Sequence, residues 1–167
     1  MQPVTVAIAD TNRDRRAGYE RLLQGDPGIT LLTNITSDNE EIGNAPAFAN
    51  RRLKPRTNVT ESEDEVARIK RLNPLVLLVS LNLCTDEDYA LLLSLRRECP
   101  DALMIFMADD MVDENKIFKV LEIGARGYMR HETAQLYISR AIRAVGRGEA
   151  WVPRKMLGNI MDYMLNQ

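Results

Sequence analysis

The sequence predicts an α/β fold: an open, doubly wound five-stranded parallel sheet covered by helices on both faces, with an additional sixth helix at the C-terminus. Three observations carry this reading. Short apolar runs alternate five times with stretches of helical period, and turn residues stand between the units. The run at 75–83, Leu-Val-Leu-Leu-Val-Ser-Leu-Asn-Leu, opens with five consecutive apolar residues, as a strand buried on both faces must. A hydrophobic share of 45% and a charged share of 28% over 167 residues suit one well-packed domain and exclude a disordered chain.

Taken in order, 4–9 reads as a buried first strand ending at Asp10 and Thr11. Thr11 with Asp14 three residues on is the expected start of the first helix, with Tyr19, Leu22 and Leu23 inward and Gly25 to Gly28 as its stop. The second strand is expected over 29–34. From 36 to 62 neither period holds, and Pro46, Pro55 and the basic residues Arg51, Arg52, Lys54 and Arg56 mark an insertion, read as mobile. A second helix is expected over 63–72 and leads into the strand at 75–83, where Ser80 stands as the apolar run gives out. Thr85 and Asp88 look like the cap of a third helix with Tyr89, Leu92, Leu93 and Leu95 inward. The fourth strand is read over 103–107 and the fourth helix over 113–122, closed by Gly124 as a left-handed cap. The fifth strand is read over 127–129, and the fifth helix over 133–145 with Leu136, Ile138, Ala141, Ile142 and Val145 inward. Pro153 then opens a sixth helix whose Met156, Leu157, Ile160, Met161, Met164 and Leu165 form an apolar stripe at helical spacing. The implied division is a domain over 1–150 and a C-terminal helical segment over 151–167.

Composition excludes several functions. A net charge of −2 gives no overall attraction to nucleic acid or an anionic membrane. Cys84 and Cys99 resemble neither a disulfide framework nor a zinc site, and neither a signal peptide nor a membrane-length apolar run is seen, so a cytoplasmic location is expected. No glycine loop that could cradle a phosphate follows the first strand, which argues against a nucleotide- or flavin-dependent enzyme. No enzymatic activity and no cofactor or metal are expected.

The segments Glu122-Ile123-Gly124-Ala125-Arg126-Gly127-Tyr128-Met129 and Ala141-Ile142-Arg143-Ala144-Val145-Gly146-Arg147-Gly148-Glu149, with Val6-Ala7-Ile8-Ala9-Asp10 and Tyr19-Glu20-Arg21-Leu22-Leu23, resemble the receiver domains of bacterial NarL/FixJ (LuxR-type) response regulators. The resemblance implies a flavodoxin-like (CheY-like) fold and a two-component phosphorylation switch. In that switch two carboxylates after the first strand hold Mg²⁺, an aspartate after the third accepts the phosphoryl group, a hydroxyl ends the fourth, and a lysine follows the fifth. Carried across, only Asp10 survives: Thr11 stands at the second carboxylate, Ser80 at the phosphoacceptor, Met107 at the hydroxyl and His131 at the lysine. A serine hydroxyl without an adjacent base does not replace an ionised carboxylate, and a lone carboxylate leaves Mg²⁺ under-ligated. The resemblance therefore implies an atypical receiver with a degenerate pocket, in which Ser80 is a polar filler near Asp10 or His131.

Such a domain is expected to act by binding, in transcription regulation, as a homodimer through Met156, Leu157, Ile160, Met161 and Met164 or through the face of the fourth and fifth helices. DNA would be contacted only by an HTH domain absent from this chain. The alternative rests on Trp151-Val152-Pro153-Arg154, similar at Trp151, Val152 and Arg154 to a short motif by which some LuxR-type regulators bind cyclic di-GMP, though it departs at Pro153. An indole face and a guanidinium can both stack on guanine.

Overall fold

The computed structural model describes residues 3–32, 58–83, 89–109 and 113–166. Among them lie five strands and six α-helices: β1 (Val4–Ala9), α1 (Arg13–Gln24), β2 (Ile29–Leu31), α2 (Asn58–Leu72), β3 (Val76–Ser80), α3 (Ala90–Glu98), β4 (Leu103–Ala108), α4 (Glu114–Ile123), β5 (Gly127–Arg130), α5 (His131–Gly146) and α6 (Arg154–Leu165), with a 3₁₀ turn at Leu81–Leu83. The strands form one parallel sheet in the order β2-β1-β3-β4-β5. The flavodoxin-like α/β architecture expected from the sequence is the one observed, and its strand order reverses direction between β1 and β3.

The two faces of the sheet explain the unbroken apolar runs. On one face Ala7, Leu77, Val79, Met104 and Phe106 pack with Ile69 of α2, Leu92 and Leu95 of α3 and Val120 of α4. On the other, Ile8, Val76, Leu78, Ile105 and Met107 pack with Tyr19 and Leu23 of α1 and Ile138 and Ile142 of α5. Every residue of β3 is buried, so successive side chains serve opposite cores. At about 1.5–3 kcal/mol per fully buried Leu, Val, Ile or Phe, this sandwich is the main source of stability.

Local chemistry shifts several boundaries. The α1 cap is Asn12, whose side chain accepts from the Arg15 backbone N–H at 2.9 Å; Thr11 is not the cap. The β1–β2 ladder stops at Val6↔Leu31, so the second strand is shorter than expected. Helix α2 starts at Asn58, five residues before the expected Glu63. The remainder of the expected insertion, and the cap expected at Thr85 and Asp88, lie outside the described residues. Helix α3 begins after Tyr89, which takes a left-handed conformation at φ 55°, and it buries Leu91, Leu92 and Leu95 while Leu93 is exposed. Leu136 is likewise 73% exposed on α5 and leaves the expected inward stripe. Pro153 is the cap of α6 and not its first helical residue. Gly124 closes α4 at φ 135°, its N–H reaching the carbonyls of Val120 and Leu121.

The C-terminal segment is tied in by backbone pairing. The Tyr128 N–H donates to the Trp151 carbonyl at 2.8 Å and the Trp151 N–H to the Arg126 carbonyl at 3.0 Å, extending the sheet past β5. Helix α6 then lies on α4: Met156 is buried, Ile160 and Tyr163 are half-buried, and the Tyr163 hydroxyl donates to Glu122 at 2.9 Å. Among the described residues no helix is long and apolar enough to cross a membrane.

Candidate functional site

In a sheet whose order reverses between two strands, the crevice beyond their carboxyl ends is where ligands collect. Here that crevice lies past β1 and β3, and it brings Asp10 and Ser80 together. Both are buried, the only buried polar or charged residues in the described core. Asp10 follows the last residue of β1 and Ser80 is the last residue of β3, so each strand end fixes one side chain.

Between them lies a residue that strand and helix patterns did not single out. The Arg15 guanidinium straddles the Asp10 carboxylate, Nε to Oδ2 at 2.7 Å and Nη2 to Oδ1 at 2.9 Å, and Nη2 also donates to Ser80 Oγ at 3.2 Å. The Asn12 N–H donates to Asp10 Oδ1 at 2.9 Å, and the Asn82 N–H to Ser80 Oγ at 3.3 Å. Asn12 thus starts α1 in the register that turns Arg15, three residues on, back over the strand end. The hydrogen bonds to Asp10 hold the Arg15 guanidinium above its ordinary pKa against the opposing effect of burial. A requirement could have revealed it: a carboxylate buried without metal needs a cation, and Arg13, Arg15 and Arg16 are the first available.

The donor set does not fit Mg²⁺. Both Asp10 oxygens are taken by cationic or backbone donors, and a divalent ion would have to sit against a guanidinium. Thr11 is exposed, and Met107 is fully buried with its side chain in the apolar core on the α1–α5 face. Among the described residues no cluster of three His, Cys, Asp or Glu side chains could hold a metal.

His131 begins α5 and is half-buried. Its Nδ1 is hydrogen-bonded to the hydroxyl of Tyr19 of α1, with the rings stacked at 5.9 Å between centroids, and its buried Nε2 has no partner among the described residues. It pairs with Tyr19 and not with Asp10. Burial, and then the Arg15 charge, hold the imidazole below its ordinary pKa, with Asp10 and Asp109 pulling the other way. Burial pushes the Tyr19 phenol up to about 12, opposed by Arg15. Both groups are therefore neutral near pH 7, and the phenol can donate to Nδ1.

The residues expected at the C-terminal segment separate. Trp151 is half-buried and packs beside the core on the α5 face, its ring 6.5 Å from that of Tyr137; the Arg140 guanidinium stands 5.6 Å over the Tyr137 ring. Arg154 is exposed. Of the expected dimerisation residues, Met156 is turned into the domain's own core, whereas Leu157, Met161 and Met164 face outward. A groove of about 400 Å³ between α4 and α6 is lined by Phe118, Leu121, Glu122, Ile160, Tyr163 and Met164.

No protein-family model matches the chain. Among curated proteins it is similar to the transcriptional regulatory protein LiaR of Bacillus subtilis, 26% identical over 159 residues that make up 95% of this chain and 64% of that protein. It is also similar to the oxygen regulatory protein NreC of Staphylococcus epidermidis, 24% identical over 143 residues, 84% of this chain and 58% of that protein. The chain thus spans less than two thirds of the length of these relatives. Among solved structures, a LuxR-family two-component response regulator from Aurantimonas sp. SI85-9A1 superposes with a TM-score of 0.67 at 14% identity, covering 98% of this chain and 99% of that one. The isolated REC domain of RcsB from Salmonella enterica serovar Typhimurium gives 0.65 at 16% identity, with coverage of 98% and 99%. At these identities the solved structures establish the fold.

Proposed function

We propose that this chain, similar to response regulators of the NarL/FixJ type, is a receiver domain that works without phosphorylation, as a signalling and dimerisation module of a bacterial transcriptional regulator. The observation that carries this is Arg15 seated on Asp10 and Ser80. Phosphoryl transfer to a receiver needs an ionised carboxylate as nucleophile and a metal to neutralise the transferred group. Here the acceptor position holds an alcohol, the one remaining carboxylate is neutralised from within, and a guanidinium occupies the space between them. The pocket is held in one electrostatic state, and output depends on what the surfaces bind. DNA contact falls to an HTH domain and not to this chain, whose net charge of −2 gives no general attraction to a polyanion.

The test is incubation with acetyl phosphate, and separately with beryllofluoride, each with Mg²⁺, followed by intact mass and an amide correlation spectrum. Neither should change. A mass increase of one phosphoryl group, or amide shifts centred on Asp10 and Ser80, would overturn the reading.

A second reading has its own observation. Tyr137, Trp151 and Arg140 form a row of two aromatic faces and a guanidinium beside the start of α6, the kind of surface on which a guanine ring stacks. On that reading cyclic di-GMP binds there with Arg154 and gates the dimer. Light scattering with and without the nucleotide separates the two: a dimer indifferent to it supports the first reading, and a monomer that pairs only on its addition supports the second.

A further inference from the structure

The outward side of α6 carries Leu157, Met161, Met164 and Leu165, which are 45%, 62%, 66% and 80% exposed. Spaced four, three and one apart, they form one continuous strip along a helix of twelve residues, beside the strip that packs on α4. Gly158, next to Leu157 and three residues before Met161, has nothing within 4 Å of the place its Cβ would occupy. An exposed glycine inside a helix costs about 1 kcal/mol relative to alanine. The open space beside it leaves room for another backbone to come close.

The charges on α6 run against its own dipole. Arg154 and Lys155 fill the first turn, where the dipole is already positive, and Asp162 lies near the negative end, with no acidic residue in the first turn and no basic residue in the last. A neighbouring helix running the opposite way corrects this, because its C-terminal carbonyls come to lie beside Arg154 and Lys155. A neighbour running the same way would set Arg154 against Arg154 and Asp162 against Asp162. The occupant with a matching apolar strip, a gap for close approach and this charge distribution is a second copy of the same helix.

We infer that two copies of the chain pair through α6 in antiparallel orientation, with Met161 at the twofold axis, Leu157 of each copy beside Met164 and Leu165 of the other, and Gly158 admitting the close contact. This rests on the reading that the domain dimerises, and adds the surface and its direction. Such an isologous contact is self-closing, so it makes dimers and not chains.

The test is disulfide trapping in the full chain with Cys84 and Cys99 replaced by serine, after light scattering has established the mass of that background. Met161→Cys should cross-link to itself under mild oxidation. Leu157→Cys alone should not, since the two copies of residue 157 lie ~12 Å apart along the axis at 1.5 Å per residue. A mixture of Leu157→Cys with Leu165→Cys should give the mixed dimer. These side chains are exposed, so their replacement leaves the core intact. Self-cross-linking of Leu157→Cys would overturn the antiparallel arrangement alone. A dimer that no α6 cysteine traps would move the interface elsewhere, and a background that stays monomeric at every concentration would defeat the dimerisation reading as well.

Discussion

Replacing Arg15 by methionine tests whether the guanidinium holds the pocket together. The Asp10 side chain is 0% exposed and that of Arg15 19%, so the pair is largely shielded from solvent. Among the described residues Arg15 supplies two of the three donors that reach Asp10, and after the substitution the Asn12 N–H is the one of these that remains. Stripping the partner from a buried charge costs about 3–5 kcal/mol, and the remaining donor favours the lower end, about 3 kcal/mol. For a domain of this size that corresponds to a fall in Tm of roughly 6–12 °C. Arg15→Lys keeps the charge but loses the two-pronged fit, and should cost about 1–2 kcal/mol. Asp10→Asn leaves a cation that can turn to solvent and should cost less than Arg15→Met. Urea denaturation of the four variants, including Asp10→Asn with Arg15→Met, closes a double-mutant cycle, and the double variant should cost less than the sum by about 1–3 kcal/mol. An Arg15→Met loss below about 1 kcal/mol, or strict additivity, would refute the argument.

Three further outcomes follow from the structure. His131 has its folded pKa depressed, so the unfolded chain takes up the proton first. Stability should be unaffected above about pH 7.5, decline as pH falls through the ordinary imidazole value of about 6.5, and level off below the depressed value. His131→Gln should flatten that stretch of a Tm-against-pH curve. Gly124→Ala should cost at least about 1 kcal/mol in urea denaturation, because alanine is strained at φ 135° and its Cβ would fall 2.8 Å from Arg96 Nε. Leu157→Glu should abolish self-association in light scattering while keeping the Tm of the dissociated domain at low concentration, since the side chain is exposed in the single domain.

What could be read from the sequence depended on how local the cause was. The run at 76–80 declares its burial because each residue must suit one of two apolar faces, and the five such runs set the fold. Asp10 and Ser80 were locatable for the same reason: a strand end fixes the position of the residue beside it. Helix faces were less legible. Leu93 and Leu136 fall beside true inward positions, and a leucine one place off the stripe looks like one on it. Contacts made by long side chains were not legible at all. Nothing in the spacing says that Arg15, and not Arg13 or Arg16, turns back onto Asp10, or that Tyr19 meets His131 across 112 residues of sequence.

Arg15 nevertheless answers a question that the sequence does pose. A receiver pocket concentrates negative charge and relies on a metal to balance it. With no metal-binding cluster among the described residues, one buried aspartate is a liability of several kcal/mol unless a cation is built in. Arg15 meets that need from the first turn of the next helix, with its Nη2 shared between Asp10 and Ser80. On the proposed reading, the loss of the phosphoacceptor and the presence of the internal cation are two sides of one arrangement. The Asp10–Arg15 pair, with Ser80, makes a structural joint between β1, β3 and α1. A variant that restores the acceptor alone, Ser80→Asp, should therefore remain unphosphorylated by acetyl phosphate with Mg²⁺, since the guanidinium would bind the new carboxylate before any metal could.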